Sequence, residues 1–163
     1  MGLLFGRRKQ KAAEREAREK AELARRIREQ AKEQSEQWLK IVNDCVFLVN
    51  ATIKPNVFFP RYALMLEYLK KLAGLECTGI FDNSKELPSE AFLRVEAQFP
   101  AATNEFINRS FEASKAHADT LKTEKGKANA IRRFFDDMEN YIIHMDAESI
   151  EYLDTLKENY FNL

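Results

Sequence analysis

The feature that most constrains the fold is a long N-terminal stretch without glycine or proline. Residues Lys9 to Ser35 are mostly Ala, Glu, Lys, Arg and Gln, which have strong intrinsic helix preference. After Gln37 apolar residues take up the spacing of a buried helical face, and no helix-breaking residue marks the change. We therefore expect one helix from Ala12 to Ile53, about 63 Å long at 1.5 Å per residue. A compact domain of this size is narrower than that, so the N-terminal half must project or fold back.

The rest of the chain repeats apolar residues at helical spacing and lacks the alternation typical of strands. Pro55 ends the first helix, and we expect Gly74 or Gly79 to end the second in a left-handed conformation. The third helical stretch contains Pro100, where a kink or a short break is expected. Two more helices follow, the last capped by Asp146. The sequence predicts an all-α fold, a bundle of four to five helices with a long charged N-terminal helical arm.

Charge divides the chain into two regions. The chain has 26 basic and 26 acidic residues. Residues 1–36 contain eleven of the basic and seven of the acidic residues, so their net charge is +4 and that of residues 37–163 is −4. We therefore predict a charged helical arm (1–36) with an apolar and basic tip, followed by a helical bundle domain (37–163). In the arm Ala17, Ala24 and Ala31 recur every seven residues, a weak heptad pattern because alanine buries little surface. The arm is either a solvated helix or a coiled-coil helix that needs a partner protein or a second copy.

The most informative short motif is the N-terminal sequence MGLLFGRRKQK. Its apolar residues precede a basic cluster with no acidic neighbour, an arrangement that attracts anionic surfaces. A secretory signal has the opposite order, and Gly6 stands where a myristoylation signal has Ser or Thr. The motif is either a frayed terminus or a docking site for a partner or, weakly, for a membrane. The candidate docking residues are Leu3, Leu4, Phe5, Arg7, Arg8, Lys9 and Lys11.

No motif indicates a catalytic residue, a cofactor site or a metal site. His117 and His144 fall in different helices without the spacing of zinc ligands, and no glycine elbow presents a serine. Cys45 lies on the core stripe of the first helix and is expected to be inert. An enzyme would need a site assembled from distant residues in the bundle core, such as a polar cavity lined by Tyr, His or carboxylates.

Composition also limits which cellular compartment and which partners are expected for this protein. Two cysteines give no disulfide scaffold, and no apolar run is long enough to span a membrane, so we expect a cytoplasmic protein that can contact the inner face of the membrane. We predict a non-enzymatic interaction or adaptor protein with no small-molecule substrate. The alternative is a nucleic-acid-associated accessory protein that uses the basic arm.

Residues 121–135, LKTEKGKANAIRRFF, place a glycine between lysines and two phenylalanines after an arginine pair. A phosphate-binding loop would need a second upstream glycine and a hydroxyl after the lysine, but Ala128 follows Lys127. We interpret the stretch as the junction of two helices, with the second beginning near Ala128. Lys125 and Lys127 then hold an anion or an acidic side chain, or simply face water. The phenylalanines share a face with core residues, which disfavours base stacking.

Two segments, TIKPNVFFPRYALMLEYLKKLAGLE and LKTEKGKANAIRRFFDDMENYIIHMDAESIEYLDTLK, together cover about residues 52–157. They resemble the two recurring blocks of an uncharacterised all-helical domain family of Gram-positive bacteria and their mobile elements. Lys54 replaces the asparagine of the family pattern, and Pro60 falls inside the block. The resemblance implies an all-helical domain in a bacterial cytoplasm and no known activity. The residues that match the first block are Pro55, Phe58, Phe59, Arg61 and Tyr62.

These two blocks also suggest one polar cluster. Its candidate members are Arg61, Tyr62, Lys125, Gly126 and Lys127. The alternative is that Arg61 and Tyr62 pin the second helix to the acidic fourth one.

Overall fold

A computed structural model of the protein describes residues 2–162. That range folds into six α-helices without a strand, which confirms the all-α prediction. Short 3₁₀ turns at Glu76–Thr78 and Ile142–His144 join some of them. The helices are α1 (Gly2–Ala51), α2 (Pro55–Ala73), α3 (Pro88–Ala97), α4 (Phe99–Asp119), α5 (Glu124–Glu139) and α6 (Ala147–Phe161).

Helix α1 is continuous, as predicted, but starts ten residues earlier than expected. Every side chain from Leu3 to Gln30 is exposed, whereas Ala31 and Ser35 are each 5% exposed. The arm therefore projects for about 43 Å at 1.5 Å per residue. Its boundary with the bundle lies after Gln30 rather than after residue 36, because the bundle already covers Ala31 and Ser35. We call residues 2–30 the arm from here on.

The second half of α1 forms an antiparallel hairpin with α2 across a three-residue connection. Pro55 occupies the first turn of α2, where its missing N–H group has no intrahelical acceptor to bond. Trp38 of α1 meets the ring of Tyr68 of α2 edge-on, with ring centroids 6.5 Å apart. These contacts seat one face of α1 on α2 and leave the arm beyond the hairpin.

Helix α4 caps the C-terminal end of α1. The Arg109 guanidinium donates to the carbonyls of Val49 and Thr52, each over 2.9 Å, and the Ser110 hydroxyl donates to the carbonyl of Ile53 over 2.7 Å. The last carbonyls of a helix lack intrahelical donors and carry partial negative charge. Because the last turn of α1 contains no basic residue, the compensating cation comes from α4, which fixes α4 beneath the end of the hairpin.

The glycine prediction for the end of α2 was wrong for Gly74, whose φ of −63° is helical. Its N–H bonds to carbonyls of the preceding turn, so the chain continues in helical geometry past Ala73. Gly79 does adopt the left-handed conformation, with φ of +81°, but it ends the short 3₁₀ turn rather than α2.

The break near Pro100 is confirmed. Helix α3 ends at Ala97 and α4 begins at Phe99, so Pro100 occupies the first turn of α4, where proline is tolerated. The predicted cap of α6 is also confirmed, since the Asp146 carboxylate accepts the Ser149 N–H over 3.1 Å.

The core lies where α4 packs against α5, α6 and the α1–α2 hairpin. The rings of Phe58 (α2) and Phe106 (α4) stack with centroids 4.4 Å apart. The periodicity predicts a core face of Ile131, Phe134, Phe135, Met138 and Ile142. The first four are confirmed as buried residues of α5, whereas Ile142 lies beyond its end in a 3₁₀ turn and is half-buried. Aromatic packing of this kind fixes the bundle, while the arm has no share in it.

Candidate functional site

The arm presents to solvent the same helical stripe that the rest of α1 buries in the bundle. Ala31 and Cys45 are buried and Trp38 is half-buried. Ala17 and Ala24 share their seven-residue repeat but are exposed. Residues spaced by seven lie on nearly the same side of a helix. The packing face of α1 therefore continues beyond the end of its partner α2.

Two larger apolar side chains flank this stripe within the arm. Leu23 is 59% exposed and Ile27 is 47% exposed. We call the set formed by Ala17, Leu23, Ala24 and Ile27 the arm stripe. Alanines let a neighbouring helix approach closely, and the two larger residues supply most of the apolar surface that such a helix would cover.

The arm is stabilised as a helix by its own residues. Arg25 pairs with Glu29 over 3.0 Å and Glu22 pairs with Arg26 over 2.9 Å, both four residues apart. Exposed pairs of this kind contribute only about 0.3–0.5 kcal/mol each. Most of the helix stability of the arm therefore comes from the intrinsic helix preference of its residues. The arm is also longer than the roughly 12–15 residues that an isolated helix needs.

All seven predicted docking residues lie together at the start of α1. Leu3, Leu4 and Phe5 are 85%, 67% and 71% exposed. The four cations that follow are also exposed, and none of the ion pairs found within residues 2–162 includes them. We call residues 3–11 the tip. Since successive helical residues point about 100° apart, its apolar side chains spread over about 200° of the helix circumference and its cations over much the same arc.

The candidate polar cluster is divided between two places. Tyr62 is buried, and its hydroxyl donates to the Val95 carbonyl of α3. Burial raises the pKa of Tyr62 to about 12, with a smaller opposing effect of Arg94. Arg61 is exposed on α2 beside Cys45 of α1, where burial raises the pKa of the Cys45 thiol and Arg61 opposes that rise. The expectation that Arg61 and Tyr62 pin α2 to α5 was therefore wrong, because their partners lie on α1 and α3.

The other three members lie in the first turn of α5. That helix starts at Glu124 rather than near Ala128, because the Thr123 hydroxyl accepts the Gly126 N–H over 3.0 Å. Lys127 lies 3.8 Å from the Glu124 carboxylate, so it faces an acidic side chain, while Lys125 is exposed. No hydrogen bond or ion pair in the described range joins these residues to Arg61 or Tyr62.

Gly126 is inside the helix, not at a junction. A Cβ added there would come within 2.9 Å of the Thr123 hydroxyl oxygen, which is closer than real Cβ contacts. Glycine thus leaves room for the threonine cap to fold over the first turn. The sequence signal for this cap was available, since Thr followed by Glu is typical of a helix start.

A groove of about 280 Å³ between α4 and α5 was missed by the sequence reasoning. Its apolar walls include Phe134 and Met138, and its polar lining is Ser110, Ser114, His117, Arg133 and Asp137. Arg133 and Asp137 are four residues apart and therefore share a face of α5. No hydrogen bond found in the described range connects His117 to Ser114 or Asp137. The groove presents a cation, a carboxylate and an imidazole to solvent without a joined nucleophile and base.

Three further observations bear on chemistry and identity. Within residues 2–162, no group of three or more His, Cys, Asp or Glu side chains is placed to hold a metal ion. None of the described helices combines the length and apolar character needed to cross a bilayer. No protein-family model, curated protein or solved structure matches this chain. The resemblance to the helical family of Gram-positive bacteria stays a prediction.

Proposed function

We propose that the protein is a non-enzymatic helical adaptor that docks through its arm. The observation that supports this most directly is the arm stripe, which extends the packing face of α1 past the end of α2. A second helix that covered this face would continue the packing that α2 begins. The partner is a helix of another protein or the arm of a second copy.

Charge and exposure favour a helical partner for the stripe. Residues 14–36 contain seven basic and seven acidic residues, so net charge neither attracts nor repels a neighbouring helix there. Leu23 and Ile27 expose about half of their surface, and covering an aliphatic side chain of this size contributes roughly 1.5–3 kcal/mol when burial is complete. Two such residues beside the alanines of the stripe support a modest, reversible association.

Cross-linking and sedimentation velocity of the full chain test this proposal. Replacing both Leu23 and Ile27 by Gln keeps the helix preference of the arm and removes its larger apolar side chains. We expect this variant to lose the association that the unchanged chain shows. The matched control replaces Arg15 and Arg18, which lie on the opposite side of α1 and in none of the ion pairs found within residues 2–162, by Gln. Docking of the stripe onto a second copy would be refuted if all three chains associated equally, or if none of them associated. Pull-down experiments with the same variants extend the test to a different partner protein.

The basic tip supports a second candidate, binding of nucleic acid. Arg7, Arg8, Lys9 and Lys11 are exposed on one short segment of helix. Phosphate binding by such a segment must weaken steeply with salt. Fluorescence anisotropy with a duplex oligonucleotide at low and moderate salt decides: binding that falls steeply supports this candidate, and no binding at low salt removes it.

A further inference from the structure

We propose that the groove between α4 and α5 binds the arm of a second copy of this chain. This inference rests on the proposed function, because it names the surface onto which the arm stripe docks. The bound arm lies along α5 and runs in the same direction as that helix.

The floor of the groove suits the close approach of a helix. It is lined by the small residues Ala113 of α4 and Ala130 of α5, and small side chains let two helix axes come close together. At one end the groove is bounded by Ile53, which is 47% exposed and also lines an adjoining cleft of about 390 Å³. An amphipathic helix in this groove would cover an aliphatic side chain that the bundle leaves open.

Two charged side chains of α5 line the rim. Arg133 and Asp137 lie four residues apart, which is about 6 Å along the helix. The arm pair Arg25 and Glu29 has the same spacing and forms an ion pair. Neither Arg133 nor Asp137 takes part in an ion pair found within residues 2–162. The rim thus offers a guanidinium and a carboxylate to a second molecule, about one helical turn apart.

The arm carries the complementary charges at the same spacing. Glu16 and Lys20 are exposed, and they fall within the arc of the helix that the arm stripe spans. An arm parallel to α5 that sets Glu16 opposite Arg133 brings Lys20 opposite the rim carboxylate. An antiparallel arm at the same height sets like charges opposite each other, so charge selects the parallel direction.

The same alignment brings exposed aliphatic side chains together. Asp137 and Asn140 of α5 line the cleft that adjoins the groove at Ile53. Leu23 follows Lys20 by three residues, as Asn140 follows Asp137, so it comes to the Ile53 end of the groove. Leu23 and Ile53 are each about half-exposed in the single chain, and covering both is favourable. One alignment thus satisfies both the charges and the apolar surface.

Net charge favours a second copy as the source of the arm. Residues 2–30 contain ten basic and five acidic residues, and residues 31–163 contain sixteen and twenty-one, so their net charges are +5 and −5. Contact between an arm and a bundle joins opposite net charges, whereas two arms or two bundles repel each other. The arm of the same chain cannot take this place, because α1 is continuous and about 32 Å of helix separate Gln30 from Ala51.

Sedimentation velocity of the full chain and of charge-reversed variants tests the inference. Arg133→Glu should weaken association about tenfold, because it turns one attraction into a repulsion. Glu16→Arg should weaken it to a similar extent for the same reason. A chain with both substitutions restores opposite charges, and its association should return to within about threefold of that of the unchanged chain.

The matched control is Arg132→Glu, which makes the same change of charge at the neighbouring residue. Arg132 lines a different cleft, beside Phe161, and not the groove. Association of this control should match that of the unchanged chain. Equal association of Arg133→Glu and the control, no recovery in the double variant, or no association of the unchanged chain would overturn the inference.

Disulfide formation tests the direction of the bound arm. The exposed Cys77 is first replaced by Ser. A chain with Ala24→Cys mixed with a chain with Ile53→Cys should then form a cross-linked pair, because a parallel arm brings these positions together. His117 lines the groove near the turn that joins α4 to α5, at the other end, so Ala24→Cys mixed with His117→Cys should not cross-link. Cross-linking to position 117 instead of 53, or to neither, would contradict the parallel alignment.

The variant that lacks Leu23 and Ile27 separates this inference from the proposed function. If that variant loses association while Arg133→Glu behaves like its control, the arm docks elsewhere and only this inference fails. If association depends on Arg133 but not on Leu23 and Ile27, the arm stripe is not the docking face and the proposed function fails.

Discussion

Replacing Arg109 by Met should strongly destabilise the bundle while leaving every helix in place. Methionine replaces the aliphatic part of the side chain but removes both guanidinium bonds to the Val49 and Thr52 carbonyls, each 2.9 Å long. Hydrogen bonds to charged groups contribute about 1.5–3 kcal/mol each. Arg109 is only half-buried, so water replaces part of the loss, and we expect about 2–3 kcal/mol in the free energy of unfolding. For a chain of this length that lowers the Tm by roughly 4–12 °C.

Urea unfolding followed by circular dichroism measures this loss. The matched control is Arg18→Met in the arm, where no ion pair within residues 2–162 is removed and the change should stay within about 0.5 kcal/mol. If Arg109→Met costs no more than the control, the carbonyls at the end of α1 do not depend on α4. The two Arg109 bonds would then not be what fixes the hairpin to α4.

Two further predictions concern other helices of the bundle. Alanine in place of glycine usually stabilises a helix by roughly 1 kcal/mol, but Gly126→Ala should not, because the added Cβ displaces the Thr123 cap. In a Thr123→Ala chain, which has no cap to displace, the same substitution should bring the full stabilisation. If the two changes in unfolding free energy simply add in a double-mutant cycle, the clash is contradicted. Burial raises the pKa of Tyr62 to about 12 in the folded protein, so the folded state holds this proton more tightly than the unfolded state does. The resulting contribution to the free energy of unfolding is fully present below about pH 10 and is lost as the pH rises towards 12. Unfolding measured across this pH range should therefore show a decline that Tyr62→Phe reduces, and an unchanged decline would refute the assignment to Tyr62.

The all-α fold and several helix boundaries could be predicted from the sequence. Pro55, Pro100 and Asp146 act through the backbone of their own turn, so their effects are readable from neighbouring residues alone. The core face of α5 followed in the same way from the periodicity of its apolar residues.

The features that could not be predicted from the sequence depend on contacts between distant parts of the chain. Burial of Ala31 and Ser35 depends on how far the bundle reaches along α1, which no local pattern records. The partners of Arg109 are backbone carbonyls 57 and 60 residues away, and backbone groups leave no mark in a sequence. The groove between α4 and α5 likewise combines side chains whose proximity arises only from packing.

The start of α5 was misplaced for a different reason. A glycine after a lysine was taken as a junction, whereas Thr123 already supplied the cap and Gly126 made room for it. At the tip composition predicts the docking residues, and their docking role stays a prediction. Their helical conformation and exposure depend on α1 starting at Gly2, ten residues before the expected start.

We propose that the arm serves docking and not folding. This proposal is tested by comparing the full chain with a chain of residues 31–163 for both unfolding free energy and association. We expect the two free energies to agree within about 0.5 kcal/mol, since residues 3–30 bury no side chain in the bundle, and we expect association to disappear. A shortened chain that unfolds more easily, or that associates as strongly as the full chain, would contradict the claim.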